Sequence, residues 1–196
     1  MKNPRRLRLL TRSLLAPVAA CFAFALTCTA QPPAPGEETT EAKPLPGAEV
    51  VDYTKLLPLL PEPPAGWKAD EAEGSTDNIG ETSITNVHRD YQKGEGGDGA
   101  PTTAISILDS ASNPEYVEST TAAWDSNVSD AEGYTKTVTI DGLPGFETFE
   151  IDGKHGTLWV MVAKRYFLQI ETTGQEASAL QEWVKRVDLK KLAEIK

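Results

Sequence analysis

The sequence of 196 residues has few of the side chains that build cofactor sites. Its two cysteines, Cys21 and Cys28, lie within the first 30 residues, and its two histidines, His88 and His155, are far apart in the chain. The rest of the chain therefore has no cysteine pair for a disulfide and no ligand set for structural zinc or an iron–sulfur cluster. Nucleophile-elbow, phosphate-loop, dinucleotide and EF-hand motifs are also missing. The sequence predicts no metal and no other cofactor.

Long hydrophobic runs are equally scarce, and the one that exists lies near the N-terminus. Residues 1–12 carry five basic side chains and no acid, and residues 13–27 are almost wholly apolar before the small residues Thr29 and Ala30. This run is shorter than the roughly 20 residues that a membrane-spanning helix needs. A charged region, an apolar region and small residues in that order are typical of a secretory signal. We therefore predict a signal peptide over residues 1–30 and no transmembrane span in the mature chain.

Two cleavage sites compatible with this signal remain open. Cleavage after Ala30 releases a soluble protein that begins at Gln31. The alternative is a lipid anchor on Cys28, although the residues before it depart from a lipobox at Thr27. Both alternatives place the protein outside the cytoplasmic membrane, in a periplasmic or other extracytoplasmic space, either soluble or lipid-anchored.

Positive charge is scarce beyond the N-terminus. The chain has 19 Lys and Arg residues against 29 Asp and Glu residues, a formal net charge of -10. Removal of residues 1–30 takes away five of the basic residues and none of the acidic ones, which leaves a net charge of -15. Binding to nucleic acids and to anionic lipid headgroups depends mainly on clustered Lys and Arg. The charge balance therefore predicts that nucleic acid is not a partner.

Composition divides the mature chain into a linker and one domain. Residues 31–49 are rich in Pro, Glu and Thr and have almost no large apolar side chains, which predicts a disordered linker. Residues 50–65, VVDYTKLLPLLPEPPA, combine leucines with prolines that force extended backbone. We expect this lead-in strap to lie in a groove of the domain, although a continued linker is the alternative. Residues 50–196 are long enough to bury one core, which predicts a single domain.

Periodicity indicates the elements of this domain. Apolar residues follow the helical period over residues 113–124 and again over residues 180–187, whereas residues 156–163 and 165–172 are rich in β-branched and aromatic residues. The polar residues 73–80 are predicted to form a loop. Short links between strands favour antiparallel pairing. We therefore predict an α+β fold, with an antiparallel sheet of about six to seven strands and two main helices packed on one face.

This element order and the string LLPLLPEPPAGW at residues 56–67 resemble the Mog1/PsbP-like fold of uncharacterised exported bacterial proteins and lipoproteins. The resemblance covers about residues 50–196. It implies an accessory or partner-binding role and transfers no catalytic residue.

Four large apolar residues are candidates for a binding face. Alternation in the strand from residue 156 places Trp159 and Met161 on the side opposite to Leu158. In one of the possible strand registers, Phe146 and Phe167 lie on the same side as Trp159 and Met161. Helices on one face of the sheet leave such a patch open to a protein partner or a small apolar ligand. The alternative is that the lead-in strap covers this face as ordinary core.

His88 and Asp90 are the one candidate pair for acid–base chemistry. Strand alternation puts both on the same side of the sheet. Such pairs are also common on solvated sheet faces, and no motif supplies a nucleophile. The leading hypothesis is therefore a non-catalytic exported envelope protein that binds a protein partner or a small apolar ligand. An exported hydrolase that uses His88 and Asp90, and a structural or stress-related envelope component, are the alternatives.

Overall fold

A single nine-stranded sheet dominates the protein in a computed structural model that describes residues 48–79 and 82–196. The strands are β1 (Trp67–Ala69), β2 (Glu73–Ile79), β3 (Thr82–Lys93), β4 (Thr102–Asp109), β5 (Val128–Ser129), β6 (Gly133–Ile140), β7 (Leu143–Glu150), β8 (His155–Val162) and β9 (Tyr166–Thr173). The helices are α1 (Pro114–Ala122), α2 (Ser178–Val184) and α3 (Leu189–Glu194), and single 3₁₀ turns lie at Tyr53–Lys55, Leu57–Leu59 and Asp152–Lys154.

The strands follow the order β1-β3-β4-β9-β8-β7-β6-β5, and β2 pairs with β3 beside β1. All of these pairs are antiparallel. β3 has 12 residues, and this length lets β2 and β1 share its outer edge one after the other. Because side chains alternate along each strand, the sheet has two faces, which we call the core face and the open face.

The core face carries most of the buried apolar side chains. The lead-in strap covers it with Leu56, which is fully buried, and α2 covers it with Trp183. The Trp183 ring meets Trp67 edge-on, with 5.1 Å between ring centroids. The fully buried strand residues beneath them are Val87, Ile105, Ile107, Leu158, Val160, Val162, Leu168 and Ile170.

A buried ion pair fastens the start of the lead-in strap to the sheet. Asp109, fully buried at the end of β4, accepts hydrogen bonds from Arg165 Nε at 2.9 Å and Arg165 Nη2 at 2.6 Å. The same carboxylate accepts from the backbone N–H of Val51 at 2.8 Å, and the Thr85 hydroxyl donates to the Val51 carbonyl at 2.6 Å. The strap is therefore an ordered part of the domain rather than a continuation of the linker.

A second, smaller cluster forms at one end of the open face. Trp124 follows α1 and packs on Met161 and Phe167, together with Val117 of α1. Trp124, Met161 and Phe167 are all buried. Asn113 caps α1 by accepting from the Tyr116 N–H. Thus α1 lies on the face opposite to α2 and α3.

The predicted fold class, an α+β domain with six to seven strands and two main helices on one face, is wrong. The described chain has nine strands and three helices of nine, seven and six residues, so the sheet dominates. The helical pattern over residues 113–124 predicts a helix on the same face as the C-terminal helix, but the lead-in strap, α2 and α3 fill that face. Val117 and Trp124 therefore pack on the other side.

The predicted loop over residues 73–80 is also wrong, since Glu73–Ile79 forms β2. Every residue of β2 pairs with β3 in register, and this backbone pairing does not require apolar side chains.

The predicted signal peptide over residues 1–30 and most of the predicted linker over residues 31–49 lie outside the described residues. Within residues 48–79 and 82–196, no helix has the length and apolar character needed to cross a bilayer.

Candidate binding face of the sheet

The open face is built from side chains that share rows across the strands. Strand register places Trp159 of β8 between Phe146 of β7 and Gln169 of β9, and the row continues through Ser106 of β4 to His88 of β3. All five side chains are partly exposed. Because the lead-in strap, α2 and α3 occupy the core face, this row is uncovered by them. The row therefore places partly exposed aromatic and polar groups side by side.

The structure brings the four predicted patch residues to one face but does not leave them equally accessible. Met161 is 3% exposed and Phe167 is 5% exposed, because Trp124 and α1 cover them. Trp159 and Phe146 lie at the margin of this cluster and are half-buried. The cover is α1 and Trp124 rather than the lead-in strap. The accessible part of the predicted patch consequently consists of Trp159 and Phe146.

Ring contacts hold the two accessible aromatic side chains in place. Phe146 lies between Trp124, with parallel rings 6.5 Å apart, and Trp159, with ring centroids 6.2 Å apart. Trp124 meets Phe167 edge-on at 6.0 Å. Aromatic pairs at these spacings are favourable and restrict side-chain rotation. Trp159 and Phe146 therefore form a fixed platform, which lowers the entropy that binding would cost.

His88 and Asp90 lie side by side on the open face, as the alternation of β3 predicts. His88 Nε2 is 3.0 Å from Asp90 Oδ2, and the two side chains are 41% and 54% exposed. Ser106 lies opposite His88 in the register of β3 and β4, but the one side-chain hydrogen bond that the described chain gives His88 is the bond to Asp90. Both groups face solvent, where a histidine–carboxylate pair is weakly bound.

A second histidine–carboxylate pair lies further along the same face. His155 Nε2 is 3.7 Å from Glu171 Oε1. His155 is the first residue of β8. Asp90, Ala104 and Glu171 form one row across β3, β4 and β9. The small Ala104 side chain leaves a groove of about 470 Å³ between the two carboxylates.

Sequence reasoning missed a buried carboxylate on the core face. Glu147 is 2% exposed, and its Oε1 accepts from the Tyr134 hydroxyl at 2.5 Å and forms an ion pair with Lys136 Nζ at 2.9 Å. Its Oε2 accepts from Gln181 Nε2 at 2.9 Å. Burial, followed by the hydrogen bond to Glu147, raises the pKa of Tyr134 above its ordinary value. The alternation of β7 is the signal that places Glu147 inward, beside Phe149 and Gly145.

The Glu147 group is a structural network rather than an open site. Its two carboxylate oxygens accept two hydrogen bonds and form one ion pair with groups of β6 and α2, and these contacts offset the free-energy cost of burying the charge. Within the described chain, no three His, Cys, Asp or Glu side chains are arranged to hold a metal ion.

A larger groove, of about 940 Å³, lies at the other end of the sheet, between the β5–β6 turn and the end of β7. Its rim carries Asp130, Glu132, Glu150 and Asp152, and it contains neither Trp159 nor Phe146. The predicted binding residues therefore lie on an open surface rather than in this groove.

No protein family, curated protein or solved structure matches the chain.

Proposed function

We propose that the protein is a non-catalytic, exported cell-envelope protein that binds a protein partner through the open face of its sheet. The observation that carries this proposal is the half-buried pair of Trp159 and Phe146, held as a platform beside an uncovered row of polar side chains. Fixed aromatic side chains with polar neighbours are typical of the centre of protein interfaces.

A protein partner fits the geometry better than a small apolar ligand does. Sites for small molecules are concave and enclose most of the ligand. Trp159 and Phe146 instead lie in a surface row with Gln169, Ser106 and His88, and a partner with an extended surface can contact the whole row. The apolar residues that a small ligand would need, Met161 and Phe167, are already buried by Trp124 and α1.

Binding is also favoured over hydrolysis by His88 and Asp90. Hydrolysis by such a pair requires a nucleophile or water that is held against the histidine in a site screened from bulk solvent. His88 instead bonds Asp90 on an exposed face. A hydrolytic activity that His88→Ala removes without a change in melting temperature would contradict the proposal.

Site-specific photo-crosslinking in the producing cells tests the binding face. A photo-crosslinking residue in place of Gln169, which lies between Trp159 and Ser106 in the register, is expected to give a discrete protein adduct. Trp159→Thr, which keeps a residue that favours strands, is expected to remove that adduct. The matched control places the crosslinker at Lys185, an exposed residue on the opposite side of the domain.

Two outcomes contradict the proposal. An adduct that persists in both Trp159→Thr and Phe146→Thr shows that the aromatic platform does not bind the partner. If the variant with the crosslinker at position 169 keeps the wild-type melting temperature but gives no adduct, the result supports a structural or stress-related envelope component instead. The melting temperatures of both threonine variants separate loss of binding from loss of folding.

Intact mass of the purified mature protein tests the proposed location. Export with simple cleavage predicts an N-terminus at Gln31, and a lipid anchor predicts a diacylglyceryl adduct on Cys28. Either mass is consistent with an exported protein and decides between its soluble and anchored forms. A mass that retains Met1 contradicts export through this signal.

A further inference from the structure

Charge is distributed very unequally between the two faces of the sheet. The 42 residues from Gly94 to Thr135 contain eight Asp and Glu residues and no Lys or Arg. In the described strands, Arg89 and Lys93 of β3 and Lys136 of β6 alternate with the open-face residues, so they point to the core face.

The described open-face residues of the nine strands include a single lysine, Lys68 of β1, which lies opposite Gln92 of β3, and no arginine. They do include carboxylates on four different strands, namely Glu73 of β2, Asp90 of β3, Glu150 of β7 and Glu171 of β9. A surface with charge of one sign produces an attractive field for charge of the other sign. The open face is therefore negative as a whole, and the aromatic platform lies within it.

The negative charge and the aromatic platform lie close together on neighbouring rows. Trp159 and Gln169 pair across β8 and β9, and Thr157 and Glu171 pair two residues away on the same strands. Residues two apart on a strand share a face and are separated by about 6.6 Å. The groove over Ala104 between Asp90 and Glu171 thus lies within one side-chain length of the Trp159 row.

We propose that the partner presents a basic, extended protein segment, whose Lys or Arg side chains lie between Asp90 and Glu171 while an apolar side chain packs on Trp159. This inference rests on the proposed binding function and names the chemistry of the partner. Opposite charge steers the encounter and fixes the orientation of the segment. A cationic side chain that reaches the Trp159 ring gains a further attraction from the face of the ring. Lys68, at the end of the groove, is held by Glu95 at 2.6 Å and does not oppose such a segment.

Titration calorimetry with a defined peptide tests the charge of the partner. The probe is an acetylated and amidated nonapeptide of alternating lysine and valine, and its counterpart has glutamate in place of lysine. At low ionic strength, the lysine peptide is expected to bind the wild-type protein and the glutamate peptide is not. The double variant Asp90→Asn, Glu171→Gln is expected to weaken the lysine peptide about tenfold, because two exposed ion pairs are lost.

The matched control removes the same charge from the other side of the domain. Glu182→Gln, Glu194→Gln changes two exposed carboxylates of α2 and α3 and is expected to leave the affinity within about twofold. Equal weakening by both double variants indicates attraction to net charge and overturns the inference. Absence of binding by the lysine peptide, or equal binding of the glutamate peptide, also overturns it.

The crosslinking readout separates failure of this inference from failure of the proposed function. Asp90→Asn, Glu171→Gln is expected to reduce the adduct formed at position 169 in cells, as Trp159→Thr does. If Trp159→Thr removes the adduct and the charge variant leaves it unchanged, the binding face stands and the basic partner is wrong. If neither variant affects the adduct, both proposals are wrong.

Discussion

Asp109 shows how one residue joins distant parts of the chain. Its side chain is fully buried, yet its two oxygens accept four hydrogen bonds, from Arg165 Nε and Nη2 and from the backbone N–H groups of Val51 and Ala111. Val51 and Arg165 are 114 residues apart in the sequence. The sequence alone gives no sign of this arrangement, because Asp109 reads as the polar end of a strand. Its importance follows from burial, which makes each missing partner costly.

We expect Asp109→Ala to lower the free energy of unfolding by about 3–5 kcal/mol, because it leaves the Arg165 charge without its partner and releases the Val51 N–H. Urea denaturation measures this change. Asp125→Ala removes an exposed carboxylate and is the control, with an expected change within about 0.5 kcal/mol. Equal denaturation midpoints for the two variants would show that Asp109 does not fasten the lead-in strap.

At the scale of elements, two hairpin turns that each contain two consecutive left-handed residues differ in sequence and in length. The β6–β7 turn has two residues, whereas the β8–β9 turn has a third, Arg165. The β6–β7 turn has Asp141 at φ 51° and Gly142 at φ 83°, and the β8–β9 turn has Ala163 at φ 54° and Lys164 at φ 53°. A turn with two positive φ values matches the twist of the strands that it joins. Glycine adopts this conformation without the clash of a Cβ, whereas alanine and lysine do not. The β8–β9 turn therefore carries backbone strain that the β6–β7 turn avoids at its second position.

Exchanging the residues between these turns is expected to change stability in opposite directions. Lys164→Gly is expected to raise the free energy of unfolding by about 0.5–1 kcal/mol, since the strain of a left-handed residue is larger than the entropy that glycine loses. Gly142→Lys is expected to lower it by about 1 kcal/mol, although a Cβ there meets nothing within 4 Å. Both variants exchange lysine and glycine at exposed positions, so urea denaturation compares them directly. Changes of the same sign would contradict this account of the turns.

The side of the sheet on which a side chain lies could be predicted from the sequence, because alternation along a single strand determines it. Alternation in β8 places Trp159 and Met161 on one side, and His88 and Asp90 share a side of β3 for the same reason. The exposure of Trp159 and Met161 could not be predicted, because it depends on which face of the sheet α1 packs against. β2 could not be predicted, because its own sequence, EGSTDNI, is polar and its strand conformation is imposed by pairing with β3.

At the scale of the whole molecule, one sheet separates two surfaces with different chemistry. The core face takes the lead-in strap, α2 and α3, and it also takes Arg89 and Lys136 from the strands. The open face keeps carboxylates, histidines and the half-buried Trp159. This separation follows from strand alternation, since the strand register fixes the face to which each side chain points. The proposed binding residues of the open face therefore lie apart from the larger cluster of core-face contacts that stabilises the fold.

Three tyrosines couple the stability of the whole domain to alkaline pH. Burial raises the pKa of Tyr91 from 10.0 to about 12, against a smaller opposing effect of Arg89, and its hydroxyl donates to the Pro61 carbonyl at 2.7 Å. Burial also raises the pKa of Tyr134 and Tyr166. Because the ordinary value of 10.0 applies to the unfolded chain, that chain releases these protons first as the pH rises.

The stability contributed by these tyrosines is therefore complete below pH 10 and is lost as the pH rises from 10 toward the folded pKa, about 12 for Tyr91. We expect the free energy of unfolding, measured with urea at a series of pH values, to fall above pH 10. Tyr91→Phe is expected to lower stability below pH 10, through loss of the bond to Pro61, and to make the alkaline fall shallower. Tyr116→Phe, at a residue 43% exposed, is the control and is expected to keep the wild-type profile. An alkaline fall of equal steepness in Tyr91→Phe and wild type would mean that the Tyr91 proton is not held by the folded domain.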